Sequence, residues 1–388
     1  MYKINKIKYN LGDYLYSFFI VLMLLGYPIF SILATIVNND SLTVYYRGVC
    51  LLLGALSLII PSSSIKGKNT YNNTQLFIVA LHIIYISWVL YYFASGYSNE
   101  NLDLSFYVNN SILFSLIPVL FLTKNINEEF YPLLKSHLKL VIIFFILLTY
   151  YGYTSGLSDE YRLSFDKINP ISLSLYAAIA IILCFWIFKT KFITWLVVLP
   201  LVAIMILSGS RGPLVALVAV ACTFTFLRMS FIKKVYLVFL ATLLIGLLFS
   251  FYQTAIEYLP ILSRFNFATT EGGLSVNIRE EQYKSAFSIF SDNPFLGGSL
   301  VEHFTYYYPH NIILEMLITG GVLLFLIYMV CFAKFATELV NGIRRKIPSE
   351  FIIIFFMLLI SYMFTSSLAG IGLLYYTMTV ITKMNVVK

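Results

Sequence analysis

Charged residues are scarce in this 388-residue chain. Only 11% of its residues are Asp, Glu, Lys or Arg, whereas about 25% is usual in a soluble domain. Hydrophobic residues make up 60% of the chain, which is more apolar surface than a soluble fold of this size can bury. These proportions exclude a soluble globular enzyme and a disordered protein. They predict a polytopic integral membrane protein.

The residues and motifs of several common catalytic sites are also missing. The four cysteines have no CxxC spacing and stand inside apolar runs, which predicts buried free thiols and excludes a disulfide scaffold. They are Cys50, Cys184, Cys222 and Cys331. The chain contains no GxxxxGK(S/T), HExxH or DxD motif. We therefore expect no metal, no cofactor and no nucleotide-dependent chemistry of the usual kinds.

Apolar runs of membrane-spanning length recur along the whole chain. A spanning helix needs about 20 residues, and these runs lack the alternation of an outer-membrane barrel. They predict an all-α fold of about twelve (11–12) transmembrane helices in a single membrane domain over residues 1–388. The first run is too long for a signal peptide and is interpreted as an uncleaved span. The predicted spans are 14–37, 42–60, 76–95, 105–122, 138–154, 170–188, 192–207, 213–230, 235–252, 311–333, 351–368 and 371–383.

The basic residues define the predicted orientation. With the N-terminus in the cytoplasm, 19 of the 26 Lys and Arg residues fall in cytoplasmic segments, as the positive-inside rule requires. The net charge of +8 then reflects topology, and we expect no nucleic-acid partner. Both termini are predicted to be cytoplasmic. Most outer loops are short, except for one large outer loop over 253–310.

The large outer loop contains a predicted short helix over 277–290. Its apolar residues share one face, which is expected to lie in the membrane interface and contact lipid or the bundle. The residues of this face are Tyr283, Ala286, Phe287 and Phe290. Arg279 is a candidate functional residue on the same helix. The alternative interpretation is a solvated helix face on which Arg279 pairs with its neighbour Glu280 or Tyr283.

A second candidate is the outer segment from Ser208 to Pro213, between the seventh and eighth spans. Pro213 suits the first turn of the eighth helix. The N-terminus of that helix then faces outward and, with Arg211 beside it, favours an anion such as a phosphate. The alternative is a tight turn whose arginine meets lipid headgroups.

A third candidate is His310, immediately before the tenth span. A helix N-terminus lowers the pKa of a histidine and keeps it neutral near pH 7. A neutral imidazole accepts a proton from a hydroxyl. The alternative is an interfacial histidine that caps the helix. His82 and His137 are interpreted as structural, and His303 is a weaker second choice.

Three of these segments resemble motifs of the O-antigen polymerase and O-antigen ligase superfamily. The segment Ser208–Pro213 resembles its SxSRG(P/A) motif, Arg279 to Gly297 its R…(W/Y)…A…F…NPxxG element, and Pro309 to Gly321 its HNxxLExxxxxG element. Upstream, Arg162 followed by Asn169-Pro170 resembles the R…NP pattern of an outer loop. The elements stand in the family's order over about residues 160–330.

The resemblance implies a GT-C-like membrane glycosyltransferase. Its donor glycan hangs from undecaprenyl pyrophosphate on the outer face of the bacterial cytoplasmic membrane, and no metal is needed. An acceptor hydroxyl attacks the anomeric carbon, and the lipid pyrophosphate leaves. The resemblance implies that Arg211, Arg279 and His310 are catalytic. It implies further substrate-binding residues at Arg162, Ser210, Tyr283, Asn311 and Glu315.

The first functional interpretation is a polymerase that joins lipid-linked repeat units into O-antigen or a related surface polysaccharide. A ligase that transfers the glycan to lipid A-core or another acceptor has the same chemistry. A flippase or transporter of lipid-linked sugars is the alternative from another class, although its key charges would lie near the bilayer midplane. The expected partners are the undecaprenyl-pyrophosphate-linked donor and acceptor, membrane lipid and, by resemblance only, a chain-length regulator.

Overall fold

The computed structural model describes residues 9–63, 70–95, 103–158, 162–188, 190–234, 236, 242–243, 270–344 and 347–384. These ranges are helical with no β-strand, and a single isolated bridge joins Phe165 and Ile168. The main helices are α1 (Leu11–Val37), α2 (Ser41–Ile59), α3 (Asn73–Ala94), α4 (Leu104–Phe121), α5 (Tyr131–Thr154), α6 (Pro170–Ile187), α7 (Lys191–Ser208), α8 (Arg211–Arg228), α9 (Thr270–Asp292), α10 (Ile312–Arg344), α11 (Ser349–Thr365) and α12 (Gly372–Met384).

Polar residues at the helix starts explain several of these boundaries. Asn10 and Asp13 form a capping box at α1, in which each side chain accepts a hydrogen bond from the other residue's backbone N–H. Such a cap satisfies donors that would otherwise be orphaned in an apolar environment. Asn169 caps α6 in the same manner through the N–H of Ser172, and Pro170 occupies its first turn.

The helices confirm an all-α polytopic membrane protein. Eight of the described helices, α1 to α7 and α10, are long and apolar enough to cross a membrane, and α8 and α11 are shorter apolar helices. Every predicted span except the ninth overlaps a described helix. Most of the predicted span 235–252, and residues 253–269 of the predicted outer loop, lie outside the described residues. The total number of crossings and the GT-C-like fold remain predictions.

Some predicted boundaries are wrong. Helix α5 begins at Tyr131 rather than 138, because Pro132 suits a first helical turn and charged residues are tolerated where a helix leaves the hydrocarbon. Helix α9 starts at Thr270 and is 23 residues long, well beyond the short helix predicted over 277–290. Helix α10 continues to Arg344, with non-helical backbone at Gly320 and Gly321.

The cysteine prediction is confirmed at three positions and wrong at one. Cys50, Cys184 and Cys331 are buried free thiols, whereas Cys222 is exposed. An apolar run does not distinguish a bundle-facing residue from a lipid-facing one. Among the described helices, α8 packs mainly against α11 and α6, and Cys222 is exposed.

The described chain begins and ends at the same end of the bundle. The Tyr16 hydroxyl donates to the Lys124 carbonyl at 2.8 Å, and the Ile126 N–H donates to the Lys383 carbonyl at 2.9 Å. The start of α1 and the end of α12 therefore lie beside the connection between α4 and α5. By its charges this end is the predicted cytoplasmic end.

The opposite end joins the segments that were predicted to face outward. Lys167 forms an ion pair with Asp40 at 2.8 Å, and the Leu163 N–H donates to the Leu207 carbonyl at 2.9 Å. The 27 residues of α1 separate the two ends by roughly 40 Å at 1.5 Å per residue. The candidate site is built at this second end.

Two glycines allow the turn after α9 to pack closely against the break in α10. Gly297 and Gly321 both have left-handed backbone, with φ of 75° and 61°. A Cβ on Gly321 would lie 2.3 Å from the backbone carbon of Phe295. The break leaves backbone N–H groups without partners inside the helix, and these groups donate hydrogen bonds to the turn. The Val322 N–H, for example, donates to the Pro294 carbonyl at 2.8 Å. The second and third motif elements are therefore packed backbone to backbone.

Candidate functional site: an arginine cleft beside His310

Three arginines from three separate segments line one cleft of about 380 Å³. Arg162 comes from the loop before α6, Arg211 is the first residue of α8, and Arg279 lies on α9. The described residues that line it include no carboxylate; the other members are Ile171, Gly209, Ser210, Gly212, Val215, Val276, Phe364 and Thr365. We call this space the arginine cleft. Like charges that converge in one cleft favour an anionic ligand.

The turn between α7 and α8 positions Arg211. Gly209 ends α7 with left-handed backbone at φ 59°, and the buried Ser210 leads into α8 without a side-chain cap. The first turn of α8 therefore borders the arginine cleft with its positive dipole end. A Cβ on Gly212 would meet the Thr365 methyl group at 2.6 Å. Only a glycine allows α8 to approach the end of α11 this closely.

Arg162 is tied to the same turn. Its Nε donates to the Ser208 carbonyl at 3.0 Å. This bond anchors the guanidinium at the wall of the arginine cleft. The backbone of the neighbouring Leu163 also bonds to Leu207, at 2.9 Å. The loop of the R…NP pattern and the SxSRG(P/A) motif therefore form one unit.

Arg279 does not pair with its acidic neighbours. Glu280 and Glu281 both form ion pairs with Lys284, at 3.0 and 2.8 Å. Arg279 is half-buried and lines the arginine cleft instead. The alternative of an Arg279–Glu280 pair is thus not found among the described residues.

One face of α9 packs against the bundle. Gln282, Ala286 and Ile289 are buried, whereas Phe287 is 61% exposed. Ala286 and Ile289 pack against Ile318 of α10, and the Gln282 amide donates to the Thr305 hydroxyl at 2.9 Å. Ala286 of the predicted face contacts the bundle. Phe287 is exposed, and its contact with lipid stays a prediction.

His310 lies against the wall of the arginine cleft. The backbone of Thr365, a lining residue, is a hydrogen-bond partner of its ring. Burial lowers the pKa of His310 to about 4, and the charge of Arg279 contributes to this shift. The ring is therefore neutral near pH 7. Its Nδ1 atom is buried without a hydrogen-bond partner in the described structure.

The backbone and neighbours of His310 are also unusual. Its φ of 53° places it in the left-handed region, which is uncommon for a residue other than glycine and recurs at functional sites. The ring of Tyr308 stands edge-on at 4.6 Å. Tyr308 and Tyr307 are walls of a second space of about 200 Å³, together with Asp103, Phe106, Tyr107 and Val301. We call it the aromatic pocket.

Three other predicted site residues do not line the arginine cleft. The Asn311 side chain accepts hydrogen bonds from the N–H groups of Ile313 and Leu314 and caps α10. Glu315 is buried and accepts from the Leu368 N–H at 2.7 Å. Tyr283 is half-exposed on α9 and is not among the residues that line the arginine cleft.

Two residues of the site were not singled out by sequence reasoning. Thr365 connects His310 to the arginine cleft. Glu302 is fully buried, accepts from the Thr305 N–H at 2.9 Å, and acts electrostatically on His310. Nothing local marks either residue, since each is brought to the site by tertiary packing.

The fold and the site define a polytopic membrane protein with a cationic cleft and a neutral histidine beside it. A family model described as O-antigen ligase matches residues 195–329, from α7 into α10. The match confirms the resemblance to the O-antigen polymerase and ligase superfamily and supports a glycosyltransferase-like activity. The matched segment contains Arg211, Arg279 and His310, whereas Arg162 lies outside it. No curated protein matches the chain.

Proposed function

We propose that this protein is a polysaccharide polymerase that uses a glycan linked to undecaprenyl pyrophosphate. The observation that carries the proposal is the convergence of Arg162, Arg211 and Arg279 in one cleft, next to His310. Guanidinium groups bind phosphate oxygens bidentately. The proposed location is the outer face of the bacterial cytoplasmic membrane, with both chain termini in the cytoplasm.

The proposed reaction replaces a glycosyl phosphate bond with a glycosidic bond. A hydroxyl of the acceptor glycan attacks the anomeric carbon of the donor, and the bond from that carbon to the pyrophosphate oxygen breaks. The lipid pyrophosphate leaves with the bonding electrons, and the hydroxyl proton passes to His310. Negative charge grows on the leaving oxygen in the transition state, where Arg211 and Arg279 stabilise it. Arg162 is a third proposed phosphate ligand and Ser210 a polar neighbour.

A ligase is the second candidate, because the matching family model carries that description. A ligase would perform the same chemistry in the same cleft. It would differ in the acceptor, which would be lipid A-core or another surface molecule rather than a second carrier-linked glycan. The two functions are separated by the product that accumulates in a deletion strain.

The deciding experiment is complementation of a deletion strain. The strain receives the wild-type gene or the variants Arg211→Ala, Arg279→Ala or His310→Ala at matched expression, and the surface polysaccharide is separated on a gel. We expect the deletion and all three variants to leave a single repeat unit on its acceptor. Each arginine loss should reduce polymerisation on the order of 10²-fold or more.

Lys284→Gln is the matched control, because it removes an exposed cation from the same helix as Arg279 without touching the arginine cleft. It should restore a normal ladder. Long chains stranded on the carrier lipid in the deletion strain would identify a ligase. A full ladder from all three site variants would refute the proposed site.

A further inference from the structure

A second cavity lies directly beside the arginine cleft. It has a volume of about 280 Å³ and shares Ile171 and Thr365 with the arginine cleft. Its polar lining includes Arg47, Asn110, Ser172 and Ser366, and four tyrosines also line it. No Asp or Glu stands among the described residues that line it. We call it the Arg47 cavity.

Arg47 is an unusual residue for its position. It lies in α2, about two turns from the helix start, within a predicted membrane span. Its guanidinium stands 4.1 Å from the centre of the Phe114 ring, and in the described part of the chain it has no ion pair or hydrogen bond. A charge inside a spanning helix is costly and usually has a function. The cation–π contact satisfies none of its five N–H donors.

The surroundings of Arg47 suit the headgroup of a lipid. The cavity is half-open, and its wall combines hydroxyl, amide and aromatic groups with one cation. An anion bound there would accept hydrogen bonds from the N–H groups of the guanidinium. Because Ile171 and Thr365 line both spaces, a glycan attached to that anion would begin next to the arginine cleft.

The geometry points to a second anion site, and we propose that the Arg47 cavity binds the pyrophosphate of the acceptor's polyprenyl carrier. This inference rests on the proposed function, since a polymerase needs two carrier-linked substrates at once. The arginine cleft would hold the donor pyrophosphate, which leaves. The Arg47 cavity would hold the acceptor pyrophosphate, which is retained with its carrier on the growing product.

The test uses the purified full-length protein in nanodiscs with one pyrophosphate-linked donor and two alternative acceptors. The acceptors carry the same oligosaccharide, either on undecaprenyl pyrophosphate or on a neutral alkyl chain. Wild-type protein should favour the pyrophosphate-linked acceptor. Arg47→Gln should raise the KM for that acceptor by roughly 10-fold or more, the size of a lost hydrogen bond to a charged group. The KM for the neutral acceptor should not change.

Two variants control the measurement. Arg47→Lys keeps the charge but loses the bidentate geometry, so its KM should lie between those of the wild type and Arg47→Gln. Lys167→Gln removes an outer cation that pairs with Asp40 and lines neither cavity. It should leave both KM values unchanged. The neutral acceptor also reports whether each variant is folded and active.

The outcomes separate this inference from the proposed function. If wild-type protein forms no product with the pyrophosphate-linked acceptor, the polymerase proposal and this inference both fail. If product forms but Arg47→Gln behaves as wild type, or raises both KM values equally, only the second site is wrong. If phosphatidylglycerol in the nanodisc raises the wild-type KM and Arg47→Gln removes that effect, the cavity binds a phospholipid headgroup and the inference is overturned.

Discussion

His310 combines a half-buried ring, a left-handed backbone and a neighbouring cation. Burial first, and the charge of Arg279 second, lower its pKa to about 4. If His310 is the base, its protonation stops the reaction only when the pH falls through this value. The transfer rate should therefore stay level from neutral pH down to about 4. The check is a pH–rate profile of single-turnover transfer, in which His303→Gln should have the same acidic limb. A limb near the ordinary histidine value of about 6.5 would contradict this environment.

The same pKa shift has a consequence for stability. An unfolded chain binds a proton on this histidine below about 6.5, whereas the folded protein does not until about 4. The free energy of unfolding contributed by this group therefore falls as pH decreases through that window. His310→Gln should show a weaker pH dependence of thermal unfolding there than the wild type. Equal slopes would show that the histidine is not buried in the neutral form.

At the scale of elements, the turn after α9 and the break in α10 depend on two glycines. Gly321→Ala would require left-handed backbone and would place a Cβ 2.3 Å from the backbone of Phe295. Because neither backbone can move without breaking the bonds between them, we expect loss of folded protein. Gly48→Ala is the matched control, since a Cβ there meets nothing within 4 Å. Size-exclusion profiles would decide, and equal profiles for both variants would refute the close approach.

Glu315 connects α10 to the segment between α11 and α12. One carboxylate oxygen accepts from the buried Leu368 N–H at 2.7 Å. Glu315→Gln keeps an acceptor for this bond, whereas Glu315→Leu leaves the N–H without a partner at a cost of about 1–3 kcal/mol. We expect a lower unfolding temperature for the leucine variant and little change for glutamine. Equal destabilisation by both would indicate that the negative charge matters rather than this bond.

At the scale of the whole molecule, the hydrogen-bonded ends predict an accessibility pattern. Asn39 and Glu129 are both exposed and lie at opposite ends of the bundle. In a Cys222→Ser background, Asn39→Cys should react with a membrane-impermeant maleimide added from outside. Glu129→Cys should react only after permeabilisation. The reverse pattern would place the arginine cleft in the cytoplasm and refute the charge-based orientation.

Sequence reasoning was accurate where a property depends on composition or on a local signal. Run length placed most helices, and Pro170 and Pro213 marked helix starts correctly. It failed where a property depends on partners. The sequence did not indicate that Gln282 and Ile289 pack beside Ala286 on α9, and α10 extends further than predicted because its last turns leave the apolar run. Glu315 was singled out, but its contact with Leu368 lies 53 positions away in the chain.

The sequence by itself determined the class of the protein, the predicted orientation and the three motif segments. These depend on hydropathy, on charge distribution and on residues close together in the chain. Only the tertiary structure decided that Arg162, Arg211 and Arg279 line one cleft, that Thr365 connects it to His310, and that Arg47 lies beside it. The physical reason is that helices pack through contacts between distant residues, and periodicity along one helix does not specify which neighbour its polar side chains meet.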